Sequence, residues 1–191
     1  MLSKEEATRI FIDSGALMEG HFRLTSGRHS NQYMQCAQVL QYPKYTEQLA
    51  AHIAEKFAAD NIEIVVGPAM GGIIVAYEVA RQLGIPAIFT ERQEGSMVLR
   101  RGFELRPGQR VLVVEDVVTT GGSVWEVIEI VQKAGAELAG VAVLVDRSNG
   151  EVDFKVKQEA VLSMDIKSFA ASDCPLCREG KLPVIKPGSR A

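Results

Sequence analysis

The 191 residues suffice for one domain, and apolar side chains at 47% suffice to fill its core. A net charge of −3 gives no support for a nucleic-acid-binding face, although a mildly acidic surface can still hold a basic pocket for a small anion. No apolar run reaches membrane-spanning length and no charged-then-apolar leader opens the chain, so a cytoplasmic protein is expected, with neither nucleic acid nor membrane as partner.

In chain order, "SKEEATRIFIDSGAL" reads as an amphipathic helix with Ser3 and Glu6 as a capping box. "HFRLTSGRHSNQYMQCAQVL", His21 to Leu40, looks strand-rich and precedes the core. "IEIVVGP" predicts a strand and "GGIIVAYEVARQLG" a helix stopped at Gly84. "IPAIFTER" predicts the next strand. Arg92 to Gly108 is polar, holds Gly95, Gly102 and Gly108 and has no steady period, so a mobile loop or an exposed hairpin is expected. "RVLVVED", "GGSVWEVIEIVQKAG" and "AGVAVLVDR" predict strand, helix and strand, the helix stopping at Gly135. Residues 151–191 add a strand, "AVLSMDI", and a tail rich in Pro, Gly and Lys.

Apolar strands alternating with helices imply an α/β fold, a parallel sheet covered on both faces. Ligands of such sheets bind at the C-terminal strand ends, which places Gly67, Glu91, Glu115 and Asp146 near one rim. The expected division is a single domain, with a core over about 43–150 and a small hood over that rim from about 18–42 and 155–191. Three cysteines, Cys36, Cys174 and Cys177, argue against a disulfide scaffold. "CPLC" offers half of a tetrahedral zinc site, but four ligands are required and no second pair is apparent, so free thiols on a tail are expected.

The most informative stretch is "VVEDVVTTGGS", Val113 to Ser123. The first amides of a helix lack internal partners and, with the helix dipole, make an anion site. Gly121 and Gly122 let the backbone approach a ligand, and Thr119, Thr120 and Ser123 add hydroxyls. Neither a Walker lysine nor a dinucleotide glycine pattern is present. Glu115 and Asp116 would repel a phosphate unless they bind something else, such as a sugar cis-diol or a Mg²⁺ ion carried by the ligand. Loop and acids together read as a ribose-5-phosphate cradle; Glu-Asp alone would read as a solvated strand end.

"VVEDVVTTGGS" resembles the signature of the type I phosphoribosyltransferases, and "VGPAMGGIIVA" resembles their pyrophosphate loop. The resemblance implies the type I fold, the donor 5-phosphoribosyl-1-pyrophosphate (PRPP) and Mg²⁺. It implies PRPP contacts from Glu115 through Val117, Val118, Thr119, Thr120, Gly121 and Gly122 to Ser123, and a leaving-group site at the amides of Ala69, Met70, Gly71 and Gly72. "LTSGRHSNQYMQCAQVL", "VDR" at 145–147, "ERQEGSMVLRRGF" and "CPLCREG" resemble the orotate-using members of the Thermus-type branch. In that branch Thr119 would touch both substrates, and Ser26, Gly27, Tyr33 and Met34 would meet the pyrimidine. Arg147, at a rim strand end, is the residue-level candidate for the orotate carboxylate, which a guanidinium can bind bidentately.

This sequence departs from better-known orotate enzymes, which carry lysines where Thr25 and Gly71 stand. Its loop has no lysine or histidine. Arg92 matches the family's loop arginine, Gln93 replaces a lysine, and Arg100 and Arg101 are the replacement cations. The resemblance further implies a two-fold dimer in which each loop closes over its neighbour's site. His21, His29 and His52 receive no catalytic role, because orotate can react as its ring anion. A phosphoribosyltransferase for another base, or a PRPP- or nucleotide-sensing regulator without turnover, are the alternatives.

Overall fold

A computed structural model describes residues 1–24 and 26–187; Thr25 lies outside the described residues. Helix α1, Lys4–Asp13, starts with the expected box: Glu6 N donates to Ser3 Oγ at 3.2 Å and Ser3 N to the Glu6 carboxylate at 2.8 Å. Strands β1, Leu17–Arg23, and β2, His29–Met34, form an antiparallel hairpin with a bulge between Glu19 and Phe22. A short helix α2, Ala37–Leu40, leads into α3, Pro43–Phe57, where Pro43 sits at the first turn and needs no amide partner. Thr46, Leu49, Ala50, Ile53, Ala54 and Phe57 recur at helical spacing and bury one face of α3.

The alternation then runs β3, Ile64–Pro68; α4, Gly71–Leu83; β4, Ala87–Gln93; β5, Ser96–Leu99; β6, Arg110–Val118; α5, Gly122–Lys133; β7, Glu137–Asp146; β8, Gln158–Ser163. Helix α4 ends at Gly84 as expected, in the left-handed conformation. These strands form one six-stranded sheet in the order β5-β4-β3-β6-β7-β8, parallel except for the antiparallel edge strand β5. Period-2 alternation divides β6 between two cores. Leu112 and Val114 face the cluster that includes residues of α1, α3 and α4. Val111 and Val113 face α5, Leu105 and Phe154 on the other side. A strand buried on both faces needs a near-continuous apolar run, which "VLVV" supplies.

Three features matter for the site, the first and third of them departures from the sequence expectations. β6 does not stop at the acids but pairs with β7 as far as Val118↔Asp146, because Val117 and Val118 continue the apolar strand. Arg92 to Gly108 begins as a hairpin: β4 and β5 turn at Glu94-Gly95, both with positive φ, which suits a two-residue connection. β8 pairs in parallel with β7 in the core sheet, so the hood's second segment begins after Ser163 rather than at about 155.

The hood is the small sheet β1-β2-β9, with β9 at Ser168–Phe169. Ile185 bridges to Phe22 along its edge, and a short helix α6, Pro175–Glu179, carries the second half of "CPLC".

Candidate active site

Strand order reverses between β3 and β6: from β3 the chain winds outward through β4 to β5, then returns to β6 and winds the other way. A crevice opens at such a reversal, beyond the carboxyl ends of the strands. The loop after β3 and the loop after β6 both lie there. Each opens a helix, α4 and α5, whose unpartnered first amides attract anions.

On the β6 side a cleft of ≈ 220 Å³ is lined by Arg92, Glu115 and residues 117–123, all candidate PRPP residues, and by Val124 and Glu126, which are not. Residues 117–123 wrap the α5 N-terminus. Gly121 caps α5 at φ +76°, where a Cβ would also come within 2.9 Å of Val152. Only glycine meets both demands at once. Thr119 and Thr120 are exposed. Arg92 reaches back across α5, donating to Glu126 at 3.0 Å and to Gly95 O at 2.8 Å.

On the β3 side α4 presses against the acids. A Cβ on Gly71 would lie 2.2 Å from Asp116 Oδ2, and one on Gly72 would lie 3.2 Å from Glu115 Oε1. A Cβ on Gly67 would meet Gly72 O at 2.2 Å. The glycines of "GPAMGG" therefore bring the two loops together at the carboxylates. The Ala69–Met70 peptide is cis. Ala69 N donates to Thr90 O at 2.7 Å, so of the expected leaving-group amides, that of Ala69 is already committed to the sheet. The amides of Met70, Gly71 and Gly72 remain at the helix mouth.

The two acids are fixed and electrostatically costly. Asp116 N donates to Glu115 Oε1 at 2.9 Å, and Val117 N to Asp116 Oδ1 at 2.7 Å. Burial first, and then the neighbouring Asp116, push the Glu115 carboxyl up to about 9. Burial raises Asp116 as well. Two carboxyls this close, Glu115 buried and Asp116 half-buried, favour holding a proton between them.

The hood side is continuous with these acids through Cys36, a residue that no sequence pattern marks. Its thiol donates to Asp116 O at 3.3 Å and is raised by burial and by the two acids. Arg147 lies within the electrostatic reach of Cys36 and of Tyr33. Burial pulls the Arg147 guanidinium below its ordinary value, and Tyr33 and Cys36 push it the other way. Arg147 Nε is buried with no hydrogen-bond partner among the described residues. Tyr33 is half-buried, its hydroxyl donating to Gln35 at 3.1 Å.

Met34 has a buried side chain, 5% exposed in the cluster that includes α1 and α3 residues, so its backbone is the part left for a base. Alternation explains this, because Tyr33 and Met34 must point to opposite sides of β2. Ser26 and Gly27 form the exposed turn of the β1–β2 hairpin. Arg100 and Arg101 stand beyond β5 and pair with Glu91 at 3.5 and 3.0 Å, with Arg101 over the Phe89 ring.

Two anion-attracting helix mouths with a carboxylate pair between them define a phosphoribosyl-transfer class of site. The phosphoribosyl transferase domain matches residues 37–172, and the chain belongs to that family. Its relatives narrow the class. The orotate phosphoribosyltransferase of Pelotomaculum thermopropionicum is 59% identical over 189 residues, 99% of each chain. That of Heliobacterium modesticaldum is 60% identical over 191 residues, 99% of this chain and 100% of its own. The crystal structure of orotate phosphoribosyltransferase from Aeropyrum pernix is 26% identical, with a TM-score of 0.68 over 82% of this chain and 92% of that one. The chain thus falls among the orotate phosphoribosyltransferases.

Proposed function

We propose that the chain transfers the 5-phosphoribosyl group of PRPP to orotate, giving orotidine 5′-phosphate and pyrophosphate in de novo UMP synthesis. The observation that carries the choice of acceptor is Arg147. A half-buried guanidinium with a buried, orphaned Nε, within the electrostatic reach of Tyr33 and of Cys36, whose thiol bonds the Asp116 backbone, asks for an anionic planar partner. Orotate supplies a carboxylate; a purine does not.

The chain's own groups divide the work. The mouth of α5, with Thr119, Thr120 and Ser123, holds the 5-phosphate. Glu115 and Asp116 accept from the ribose hydroxyls and keep C1 in register. The amides of Met70, Gly71 and Gly72 stabilise the departing pyrophosphate, and arginines 92, 100 and 101 add cations as the hairpin closes. Closure also shields the oxocarbenium-like sugar from water. Two partly protonated carboxyls next to two anion sites fit a divalent cation carried by PRPP. Mg²⁺ there would neutralise pyrophosphate charge, with Glu115 and Asp116 nearest to it. A two-fold homodimer with shared sites and a cytoplasmic location complete the reading. Among the described residues no helix is long and apolar enough to cross a membrane.

Pyrophosphate release measured with PRPP, Mg²⁺ and a panel of bases tests the proposal. Turnover with orotate alone is expected. Turnover with adenine or hypoxanthine instead, or none with any base, would remove it.

A further inference from the structure

The second ligand pair that the sequence does not reveal for Cys174 and Cys177 is His21 and His29. They sit on opposite strands of the hood hairpin, and the β1 bulge precedes the Phe22↔Ser30 and Arg23↔His29 pairings that set them side by side. One donor atom from each of the four residues lies within 4.8 Å of every other. His21 Nε2 is 3.6 Å from Cys174 Sγ, 3.6 Å from Cys177 Sγ and 2.9 Å from His29 Nδ1. His29 Nδ1 is 3.3 Å from Cys177 Sγ. Around a tetrahedral zinc ion, N and S ligands stand about 3.6 Å apart and two N ligands about 3.3 Å apart, from the usual bond lengths.

Two further features support a built site. His21, 1% exposed, turns Nδ1 toward Leu182 O at 3.3 Å. A proton on Nδ1 leaves the Nε2 lone pair aimed at the cluster, the outer-sphere arrangement that orients imidazole ligands. Cys174 and His29 are buried, whereas Cys177 is exposed, which gives an ion a way in. We propose that these four side chains bind one zinc ion in a closed Cys₂His₂ structural site that fastens the C-terminal tail to the hood.

The hood needs such a fastening. Of the described residues after Ala170, only Cys174 is buried. Apart from the cluster, Ile185 joins the hairpin through backbone bonds to His21 and Arg23, and Arg28 holds Ser168. The exposed tail itself buries almost no apolar surface, and a metal supplies folding free energy directly. Four protein ligands leave no coordination position for substrate, so the site is structural rather than catalytic.

Metal analysis of the full chain, purified under reducing conditions without a metal-binding tag, should find close to one zinc per chain. Cys177→Ser and His29→Asn should each lower that content at least tenfold. Cobalt substitution should produce the intense visible bands of a tetrahedral thiolate site. Removing zinc with a thiol reagent and chelator should speed proteolysis within residues 170–187, while PRPP binding to the core, followed by calorimetry, persists. The chelation experiment uses the unaltered chain, so it stands even where a variant misfolds. Zinc-free protein after growth in zinc, a Cys174–Cys177 disulfide in its place, or a coloured iron centre would each overturn the assignment.

Discussion

Glu115 and Asp116 are placed against their own interest in stability. In the folded chain Glu115 titrates at about 9, against 4.5 when unperturbed, and Asp116 is raised too. The folded state keeps a proton that the unfolded chain has lost. The contribution of this pair to stability is therefore fullest below pH 4.5 and is lost as pH rises toward about 9. Glu115→Gln should flatten that decline, with a higher thermal midpoint than the parent at pH 8 and little difference at pH 4.5. An unchanged pH profile in thermal melts would count against the buried pair. Glu115→Gln with Asp116→Asn should at the same time cut kcat/KM by ~10²-fold or more, since misplaced reacting groups cost at least that. Turnover within a few-fold of the parent would dismiss the cradle. Arg147→Ala should raise the orotate KM and spare PRPP affinity, because losing a buried charge partner costs about 2–5 kcal/mol. Separate calorimetric titrations of the two substrates decide it; equal weakening of both would take Arg147 out of the orotate site.

Between elements, what counts is how closely α4 approaches β6. The structure supplies a local reason for the small residue at Gly71, the position at which the family resemblance would place a lysine. Any Cβ there would collide with the Asp116 carboxylate at 2.2 Å. Gly71→Ala should destabilise the fold by about 1–3 kcal/mol, typical of overpacking, and should weaken PRPP binding by displacing Asp116. Chemical denaturation and PRPP titration would measure the two effects; a variant with parent-like values for both would mean that α4 can retreat freely. This level is also where the sequence is most and least legible. The β6–α5 junction can be read from "VVEDVVTTGGS" because strand, acids, glycines and hydroxyls are contiguous. Only the end of β6 escapes, since apolar Val117 and Val118 carry pairing past the acids. Helix α3 carries a clear signal in Pro43 and its apolar period, and pattern reading alone could have found it. The His21–His29 pair could not be found that way, because its partners are more than a hundred residues away and meet only through hairpin register. The burial of the Met34 side chain has a simpler cause: adjacent strand residues cannot face the same way.

At the scale of the whole molecule, β5 leaves an unpaired edge beside Arg100 and Arg101, whose charges now rest on Glu91. Surface pairs of this kind contribute roughly 0–1 kcal/mol and exchange easily for a polyanion. If that hairpin serves the neighbouring subunit, two dead proteins can rescue one another. Arg100→Ala with Arg101→Ala, and separately Asp116→Ala, should each be inactive. After subunit exchange about half the dimers are mixed, and each mixed dimer carries one intact composite site, so activity should return to roughly a quarter of the parent's. Continued inactivity, with exchange confirmed by mass spectrometry, would assign each loop to its own subunit. The topology of the sheet, and the rim on which substrates meet, follow from the alternation of apolar strands and helices. The pairing of two chains leaves no such periodic trace.

The hood hairpin ends at Met34, yet its neighbours in space are Ser168, Phe169 and Ile185. During synthesis the hairpin can pack on α1 and α3 early, but its own edge must wait for β9 and Ile185 while the core sheet is made. The sheet, both helix mouths and the acid pair are complete in the chain by Ser163, whereas the hood is completed only by the last stretch. On the proposed reading, the ribosome therefore makes every residue for the sugar phosphate before it makes the tail that finishes the hood over the base.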